Sequence, residues 1–245
     1  FIGDTPERRQ ELIRGYFTAV TAMDAAIGRI LQAVKELDLE DDTVIVFTSD
    51  NGMNVGQQGV WGKGNGTYPQ NFYEESVRVP LVVRAPGKKP RAVSDMVSHV
   101  DLFPSILELC GVDGAPDRPC GQSFAGVLDG GAFVREYVCV FSEYGAVRMI
   151  RDARYKYVKN YINGADLFFD LEQDKREEIN LIRDPARQGE LHRLAAALDE
   201  GFRQFADPGR DGSRQFPKGM GQTGLCSSQN GAAAYRQEYE MYYGR

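Results

Sequence analysis

The sequence predicts an α/β protein followed by a small antiparallel sheet, on the strength of three patterns. Apolar residues recur every three or four positions between residues 13 and 37, which indicates one long helix. Residues 44–47 (VIVF) form a continuous β-prone run, which favours a strand covered on both faces, as in a parallel sheet. Between residues 137 and 171, short extended runs alternate with tight turns, which is typical of antiparallel strands.

The first helix is expected to start within the stretch Asp4-Thr5-Pro6-Glu7, which offers a capping side chain. Pro6 stands where its missing N–H costs nothing, and Glu7 is an acid in the first turn. The apolar stripe of this helix should face the core. A helical turn within residues 72–76 and a strand within residues 79–83 are expected to follow the first strand.

A second helix is expected over residues 101–109, where Asp101 can cap the start and Gly111 the end. The segment that follows is rich in Gly, Asp and Pro, which predicts a boundary between subdomains. We therefore divide the chain into residues 1–118, part of an α/β core, and residues 119–245, a smaller subdomain.

The second part is expected to hold the antiparallel sheet and one further helix, followed by an irregular tail. Apolar residues at helical spacing, at positions 191–202, predict that helix. The acidic segment 172–178 is expected to be a solvated loop.

Composition excludes several classes of function. Hydrophobic residues make up 42% of the 245 residues and charged residues 26%, as in ordinary soluble proteins. The net charge is −6 and the 29 Lys and Arg are scattered, which disfavours a nucleic-acid partner. Four cysteines without CxxC spacing and only two histidines exclude a zinc site built within this chain. Uncharged apolar runs all fall short of the ~20 residues that cross a bilayer, so no membrane span is expected.

The chain starts at Phe1 rather than at methionine. We therefore expect a preceding segment, which could carry targeting information. A periplasmic, secreted or cytoplasmic location stays open, as does the oligomeric state.

The best candidates for chemistry lie just after the first predicted strand. Asp50 and Asn51 are adjacent oxygen donors, the ligand type that hard divalent cations prefer. Lys63 follows a glycine-rich loop and could hold an anionic group against such a cation. Each residue alone also fits an ordinary turn or a solvated surface charge. Calcium takes six to eight oxygens, so further ligands must come from elsewhere.

Several ordered motifs resemble the carboxy-terminal half of type I sulfatases, of the alkaline-phosphatase superfamily. They are residues 48–52 (TSDNG), 59–63 (GVWGK), 73–81 (YEESVRVPL) and 99–104 (HVDLFP), with weaker likeness at 16–31, 168–171 and 178–181. The resemblance implies part of an alkaline-phosphatase-like sheet flanked by helices. It also implies sulfate ester hydrolysis by the intact protein.

The resemblance assigns Asp50 and Asn51 as calcium ligands and Lys63 as a sulfate-binding residue that stabilises charge. The nucleophile of the family is a formylglycine made from a Cys/Ser-x-Pro/Ala-x-Arg motif, which does not occur in this chain. That motif and the other metal carboxylates belong to the amino-terminal half of the family. We therefore expect this chain alone to be inactive and to hold an incomplete calcium site.

Gln58, Trp61 and Tyr68 are candidate contacts to a sulfated small molecule or carbohydrate. Trp61 and Tyr68 could stack on a sugar or aryl ring, although packing explains aromatic residues equally simply. Gln58 stands where many relatives have histidine, and a neutral amide cannot take over proton transfer.

Two other functions stay open at this point. One is a phosphoesterase or phosphonate hydrolase of the same superfamily. Asn51 speaks against it, because relatives that use transition metals usually carry histidine there. The other is a non-catalytic domain that binds a carbohydrate or a protein partner, which the missing nucleophile supports. A nucleophile motif encoded upstream of Phe1 would separate the enzyme from the binding domain.

Overall fold

The structure of the protein, a computed structural model, describes residues 5–64, 70–114, 120–141, 147–161 and 164–206. Helix α1 spans Pro6–Glu36 and begins as the capping pattern predicts. The Thr5 hydroxyl accepts a hydrogen bond from the Arg8 amide at 3.2 Å. Pro6 occupies the first helical position, and the start of this helix is thereby confirmed.

The predicted burial of the α1 stripe is wrong within the described residues. None of the α1 side chains is buried there, and Phe17 and Ile30 are 61% and 63% exposed. An apolar stripe is buried only where another element packs against it, and the described elements leave this one uncovered. By length and composition alone, α1 also meets the criterion for a membrane-crossing helix, because one 18-residue window within it has a mean hydropathy of 1.2. That is weak support for a span, because a core helix of a soluble protein meets the same criterion.

The predicted first strand forms, but its partner runs in the opposite direction. Strand β1 spans Ile45–Thr48 and is half-buried. It pairs antiparallel with a later strand at Leu81–Arg84, so the interpretation of β1 as a strand of a parallel sheet is wrong for the described residues. A run of β-prone residues indicates a pleated, partly buried surface and does not specify the direction of the partner.

Two very short strands form a hairpin between those paired strands. Strand β2 spans Asn54–Val55 and β3 spans Trp61–Gly62. The short helix α2 follows at Glu74–Val77, close to the predicted helical turn. The strand at Leu81–Arg84 is therefore β4. Thr48 pairs with Leu81, which places the end of β1 and the end of α2 at the same edge of this two-stranded sheet.

Helix α3 spans Leu102–Leu109, as predicted. Asp101 is wholly buried at its start, where one carboxylate oxygen accepts from the Ser98 amide at 2.8 Å and the other from the Gln122 amide at 2.8 Å. Arg135 pairs with the same carboxylate. The predicted cap is wrong, because the Asp101 side chain makes no capping hydrogen bond to α3. The carboxylate instead fastens the start of this helix to the segment that follows residue 120.

The predicted antiparallel sheet and its helix are confirmed. Strands β5 to β8 are hydrogen-bonded in sequence order, and helix α4 packs on β6 and β7. Their bounds are Val138–Phe141, Val147–Arg151, Tyr155–Asn160 and Leu167–Asp170 for the strands and Gln188–Phe205 for the helix. Ile150, Phe168 and Leu194 form the centre of this core at 0% exposure. Each such side chain contributes about 1.5–3 kcal/mol through burial.

The division of the chain at residue 118 stays a prediction. An apolar cluster of Phe124, Val127 and Phe133 packs against partly buried residues that include Leu81 and Leu102. Residues after the proposed boundary therefore contact the first part of the chain. The predicted irregular tail, residues 207–245, lies outside the described residues.

Candidate functional site

The Asp50–Asn51 pair forms a tight turn directly after β1. The Asn51 amide donates to Asp50 Oδ1 at 2.9 Å, and the Ser49 hydroxyl donates to the Asn51 carbonyl oxygen at 2.7 Å. The Asn51 side-chain nitrogen donates to the Gly52 carbonyl oxygen at 2.8 Å. Because the nitrogen end of that amide is held by the backbone, its oxygen is available as a ligand.

The donors of this pair suit a hard cation. Asp50 is exposed and Asn51 is half-buried, so a cation can reach both side chains from the solvent. A carboxylate and an amide oxygen are ligands that calcium and magnesium accept. Within the described ranges, no group of three or more His, Cys, Asp or Glu residues comes together that could hold a metal ion. The pair alone supplies fewer oxygens than the six to eight that calcium takes, and its role as a pair of metal ligands stays a prediction.

The β2–β3 hairpin returns Lys63 to the segment that carries the pair. Asn54 pairs with Gly62 and Val55 with Trp61. Lys63 follows Gly62 directly and is exposed, and Asn54 is three residues after Asn51. Three extended residues span about 10 Å, which a lysine side chain and a bound anion can bridge together.

Trp61 packs inside its own hairpin. It is half-buried, and a Cβ added to Gly56 would lie 3.0 Å from Trp61 Cζ2. Gly56 also has a φ of 108°, which a residue with a side chain rarely adopts. The indole ring thus helps to shape the loop, and the role of Trp61 as a substrate contact stays a prediction. Tyr68, the other aromatic candidate, lies outside the described residues.

Gln58 contacts the carboxy-terminal part of the chain. Its side-chain nitrogen donates to the Arg176 carbonyl oxygen at 2.6 Å, while the buried Oε1 has no hydrogen-bond partner among the described residues. Its backbone is left-handed, with a φ of 49°. The side-chain amide of Gln58, a predicted substrate contact, therefore fastens its own loop to the carboxy-terminal part of the chain.

Asn51 is held in place from behind by α2. The Gly52 amide donates to the Ser76 carbonyl oxygen at 3.0 Å. The two backbones approach so closely that a Cβ at Gly52 would lie 1.9 Å from the Glu75 carbonyl oxygen. The Ser76 hydroxyl lies 2.5 Å from Asn54 Oδ1 and 2.6 Å from Asn71 Oδ1. These contacts hold both ends of the segment between Asn51 and β2 against α2.

A group of four charged side chains, of which two are buried and two are half-buried, lies beyond α2. The Lys156 ammonium, at 0% exposure, is 2.6 Å from Glu74 Oε1 and 2.8 Å from Glu177 Oε1. Arg151 pairs with the other Glu74 oxygen at 2.5 Å. Two cations and two carboxylates balance, as buried charges require. We call Lys156, Glu74, Glu177 and Arg151 the charge cluster.

The two carboxylates of the charge cluster differ in acidity. Burial works against the Glu74 carboxylate, but Lys156 and Arg151 outweigh it and hold the pKa of Glu74 below its usual value. At Glu177 burial outweighs the attraction of Lys156, which raises the pKa of Glu177. The difference follows from the number of cations, because Glu74 contacts two and Glu177 contacts one.

Sequence reasoning missed the charge cluster. The acidic segment 172–178 was expected to be a solvated loop, and that is wrong for Glu177, which is 4% exposed. Lys156 gave no signal either, because it stands in an ordinary strand pattern and its partners are distant in sequence. The likeness of residues 73–81 to a family motif was the one sign that Glu74 and Ser76 have a fixed role.

One pocket, with a volume of about 560 Å³, lies at the other end of β1. It is lined by residues that precede β1 or follow β4, among them Asp42, Ala85 and Lys88. Asp50 follows β1, so this pocket and the Asp50–Asn51 pair lie at opposite edges of the β1–β4 sheet. It does not belong to the candidate site.

Comparison with known families covers most of the chain. The family model described as Sulfatase matches residues 1–112. The model described as N-sulphoglucosamine sulphohydrolase, C-terminal, matches residues 65–204. Choline-sulfatase of Rhizobium meliloti (strain 1021) is 32% identical over 201 residues, which are 80% of this chain and 38% of the relative.

Solved structures show the same likeness. BT4656, described in complex with its substrate D-glucosamine-2-N,6-O-disulfate, matches with a TM-score of 0.71 and 28% identity, over 83% of this chain and 43% of that one. A phosphonate monoester hydrolase from Silicibacter pomeroyi matches with a TM-score of 0.72 and 30% identity, over 83% and 43%. The chain thus spans less than half the length of these relatives.

Proposed function

Because the chain belongs to the type I sulfatase family, we propose that it forms the carboxy-terminal part of a sulfuric ester hydrolase and contributes half of the active site. The activity is that of a longer protein, since the chain covers less than half of the relatives it matches. The observation that carries the proposal is the β2–β3 hairpin, which returns Lys63 toward the Asp50–Asn51 pair.

Asp50 and Asn51 would hold a calcium ion in this proposal. The family uses a metal ion and a formylglycine nucleophile, and the oxygen donors of the pair suit calcium. Calcium, when bound, offsets the negative charge of the sulfate group. With only two ligands here, the chain by itself should bind calcium weakly. Tight calcium binding by the chain in calorimetry would contradict a shared site.

Lys63 would bind a sulfate oxygen through its ammonium group. The lysine is exposed on a hairpin whose base is held by backbone pairing, so the charge is presented on a defined support. A fixed cation stabilises the charge that develops on the transferring group. Removal of one such stabilising group costs about 10²–10³-fold in turnover.

A sulfated carbohydrate is the substrate class we propose. Support comes from BT4656, whose described substrate is a sulfated glucosamine, and from an N-acetylglucosamine-6-O-sulfatase of Bacteroides thetaiotaomicron that is 30% identical to this chain. The half-buried Trp61, and Tyr68, would supply apolar surface for a sugar ring. Their contribution would appear in KM for a sulfated sugar more than in KM for a small aryl sulfate.

The test uses the full-length protein with paired aryl sulfate and aryl phosphate esters. We expect hydrolysis of the sulfate ester, and a fall in kcat/KM of about 10²–10³-fold in Lys63→Ala. Lys89→Ala is the matched control, because Lys89 is an exposed lysine that follows β4, at the other edge of the β1–β4 sheet. Normal sulfatase turnover in Lys63→Ala would refute the role of Lys63.

Hydrolysis of phosphonate or phosphate esters is the second candidate. It is favoured by the likeness to the phosphonate monoester hydrolase, which is as close as the likeness to BT4656. Asn51 weighs against it, because an amide is a poor ligand for the transition metals that imidazole suits. A higher kcat/KM for the aryl phosphate than for the aryl sulfate would favour this candidate.

A further inference from the structure

Two separate parts of the candidate site are fastened to the same short segment of the carboxy-terminal region. The Gln58 side-chain nitrogen donates to the Arg176 carbonyl oxygen at 2.6 Å. The Glu74 amide, at the start of α2, donates to Glu177 Oε2 at 2.6 Å. The loop that precedes Lys63 and the helix behind Asn51 therefore share one support.

Lys156 holds that support from inside the antiparallel sheet. Its ammonium lies within 2.9 Å of three oxygens, on Glu74, Glu177 and the Phe72 carbonyl. The Phe72 carbonyl oxygen accepts a hydrogen bond from Lys156 at 2.9 Å, and the two carboxylates pair with the ammonium as ions. Lys156 stands in β7, so the sheet is connected directly to the start of α2.

A short path of contacts leads from Lys156 to the Asp50–Asn51 pair. Lys156 pairs with Glu74, the first residue of the four-residue helix α2. Ser76, two residues later, accepts from the Gly52 amide at 3.0 Å. Gly52 follows Asn51 directly. A shift of α2 would therefore move the backbone of Asn51.

Stability alone is a poor explanation for the charge cluster. Burying ions is costly, and apolar side chains of similar size often stabilise a protein equally well. The backbone adds a further cost, because Gln58 and Glu177 both adopt left-handed conformations, with φ of 49° and 55°. Such conformations are unfavourable for residues with a side chain and persist where surrounding contacts impose them. What the buried ions and strained residues provide is a fixed geometry.

We infer that Lys156 and Glu177 are positioning residues that orient the Asp50–Asn51 pair and the Lys63 loop. The inference rests on the proposed function for its catalytic consequence, since neither residue is placed against substrate. In this arrangement the carboxy-terminal sheet is a part of the active-site framework. Its contribution is made through α2 and through the Gln58 loop.

The test compares Glu177→Gln and Lys156→Met with wild type in the full-length protein. Glutamine keeps the size of Glu177 and can still accept from the Glu74 amide, but it removes the charge that faces Lys156. We expect kcat/KM for an aryl sulfate to fall up to about 100-fold, the scale of a 1 Å misplacement. We also expect faster amide hydrogen exchange in residues 50–63, and a higher calcium concentration for half-maximal binding.

Two matched controls separate positioning from loss of charge in general. Lys159→Met changes a lysine on the same strand that pairs with Asp166, and Glu172→Gln changes an exposed glutamate near Glu177 that pairs with Arg154. Both should retain wild-type exchange in residues 50–63 and wild-type kcat/KM. If Lys156→Met does not fold, the conservative variant Glu177→Gln carries the comparison.

The outcomes distinguish the inference from the function on which it rests. Absence of ester hydrolysis by the wild-type protein would refute the proposed function, while hydrogen exchange would still test the positioning. Exchange in residues 50–63 and kcat/KM that both stay within twofold of wild type in Glu177→Gln would overturn the inference. A melting temperature that falls without any change in exchange or calcium binding would assign the cluster to stability alone.

Discussion

Replacement of Gly52 by alanine should disable the candidate site. The new Cβ would lie 1.9 Å from the Glu75 carbonyl oxygen and 2.8 Å from the Glu75 carbonyl carbon. Ordinary contacts begin at 3.4 Å, so the turn and α2 would have to separate by about 1.5 Å. Both neighbours are backbone, and a rotamer change therefore cannot relieve the clash.

The separation sets the size of the expected effect. It would lengthen the hydrogen bond from the Gly52 amide to the Ser76 carbonyl oxygen, now 3.0 Å, and displace the adjacent Asn51. Misplacement by 1 Å costs about 10²-fold in rate, and overpacking of this kind costs about 1–3 kcal/mol in stability. We therefore expect Gly52→Ala to lose at least about 100-fold in kcat/KM while it remains folded.

The assay is sulfate ester hydrolysis by the full-length protein, with urea unfolding to measure the free energy of unfolding. Gly189→Ala is the control, because a Cβ at Gly189 meets no atom within 4 Å and the residue lies in the first turn of α4. It should be as stable as wild type or slightly more stable. Wild-type activity and stability in Gly52→Ala would refute the close approach of the turn and α2.

Three further predictions concern the carboxy-terminal sheet of the same protein. Burial raises the pKa of Cys139 to about 11, so at pH 8 only about one thiol in a thousand is ionised. Because the thiolate is the form that reacts, Cys139 of the native protein should stay unmodified by an alkylating reagent, as measured by mass spectrometry. Hydrogen bonds from Arg154 lower the pKa of Asp170 in the folded protein. The ionised Asp170 therefore stabilises the fold at a pH above its ordinary pKa of 3.8, and this stabilisation is lost as the pH falls through the lowered pKa of the folded protein. Urea unfolding of Asp170→Asn should therefore show lower stability at pH 7 and a shallower decline toward pH 3. Leu194→Ala, in the core at 0% exposure, should lower the free energy of unfolding by about 2–5 kcal/mol in the same assay.

The parts of the fold that could be predicted are those encoded by neighbouring residues. A capping threonine followed by proline marks the start of α1, because both act within one helical turn. The four strands between residues 138 and 170 each pair with the next strand along the chain. Local signals suffice when the partner of an element is its sequence neighbour.

The parts that could not be predicted depend on distant partners. The apolar run of β1 indicates a strand, but its antiparallel pairing with β4 is decided more than 30 residues later. Glu177 was predicted to be solvated because its neighbours are acidic, whereas its environment is set by Lys156 on another element. At the candidate site the roles of Asp50, Asn51 and Lys63 were assigned through a resemblance and stay predictions, and the contacts that hold these residues in place were not predicted.

The side chains of the candidate site can bind charged groups but include no nucleophile among Asp50, Asn51 and Lys63. Asp50, Asn51 and Lys63 offer two oxygen ligands and one ammonium group, which can hold a cation and an anion but cannot attack an ester. Their contribution to turnover therefore depends on how accurately they are positioned relative to groups supplied by another segment. Such accuracy requires rigid support, and here the Gly52–Ser76 contact and the buried Lys156 provide it. A site that only binds and polarises its substrate is limited by geometry, so the residues that fix this geometry should affect turnover as strongly as those that touch the substrate.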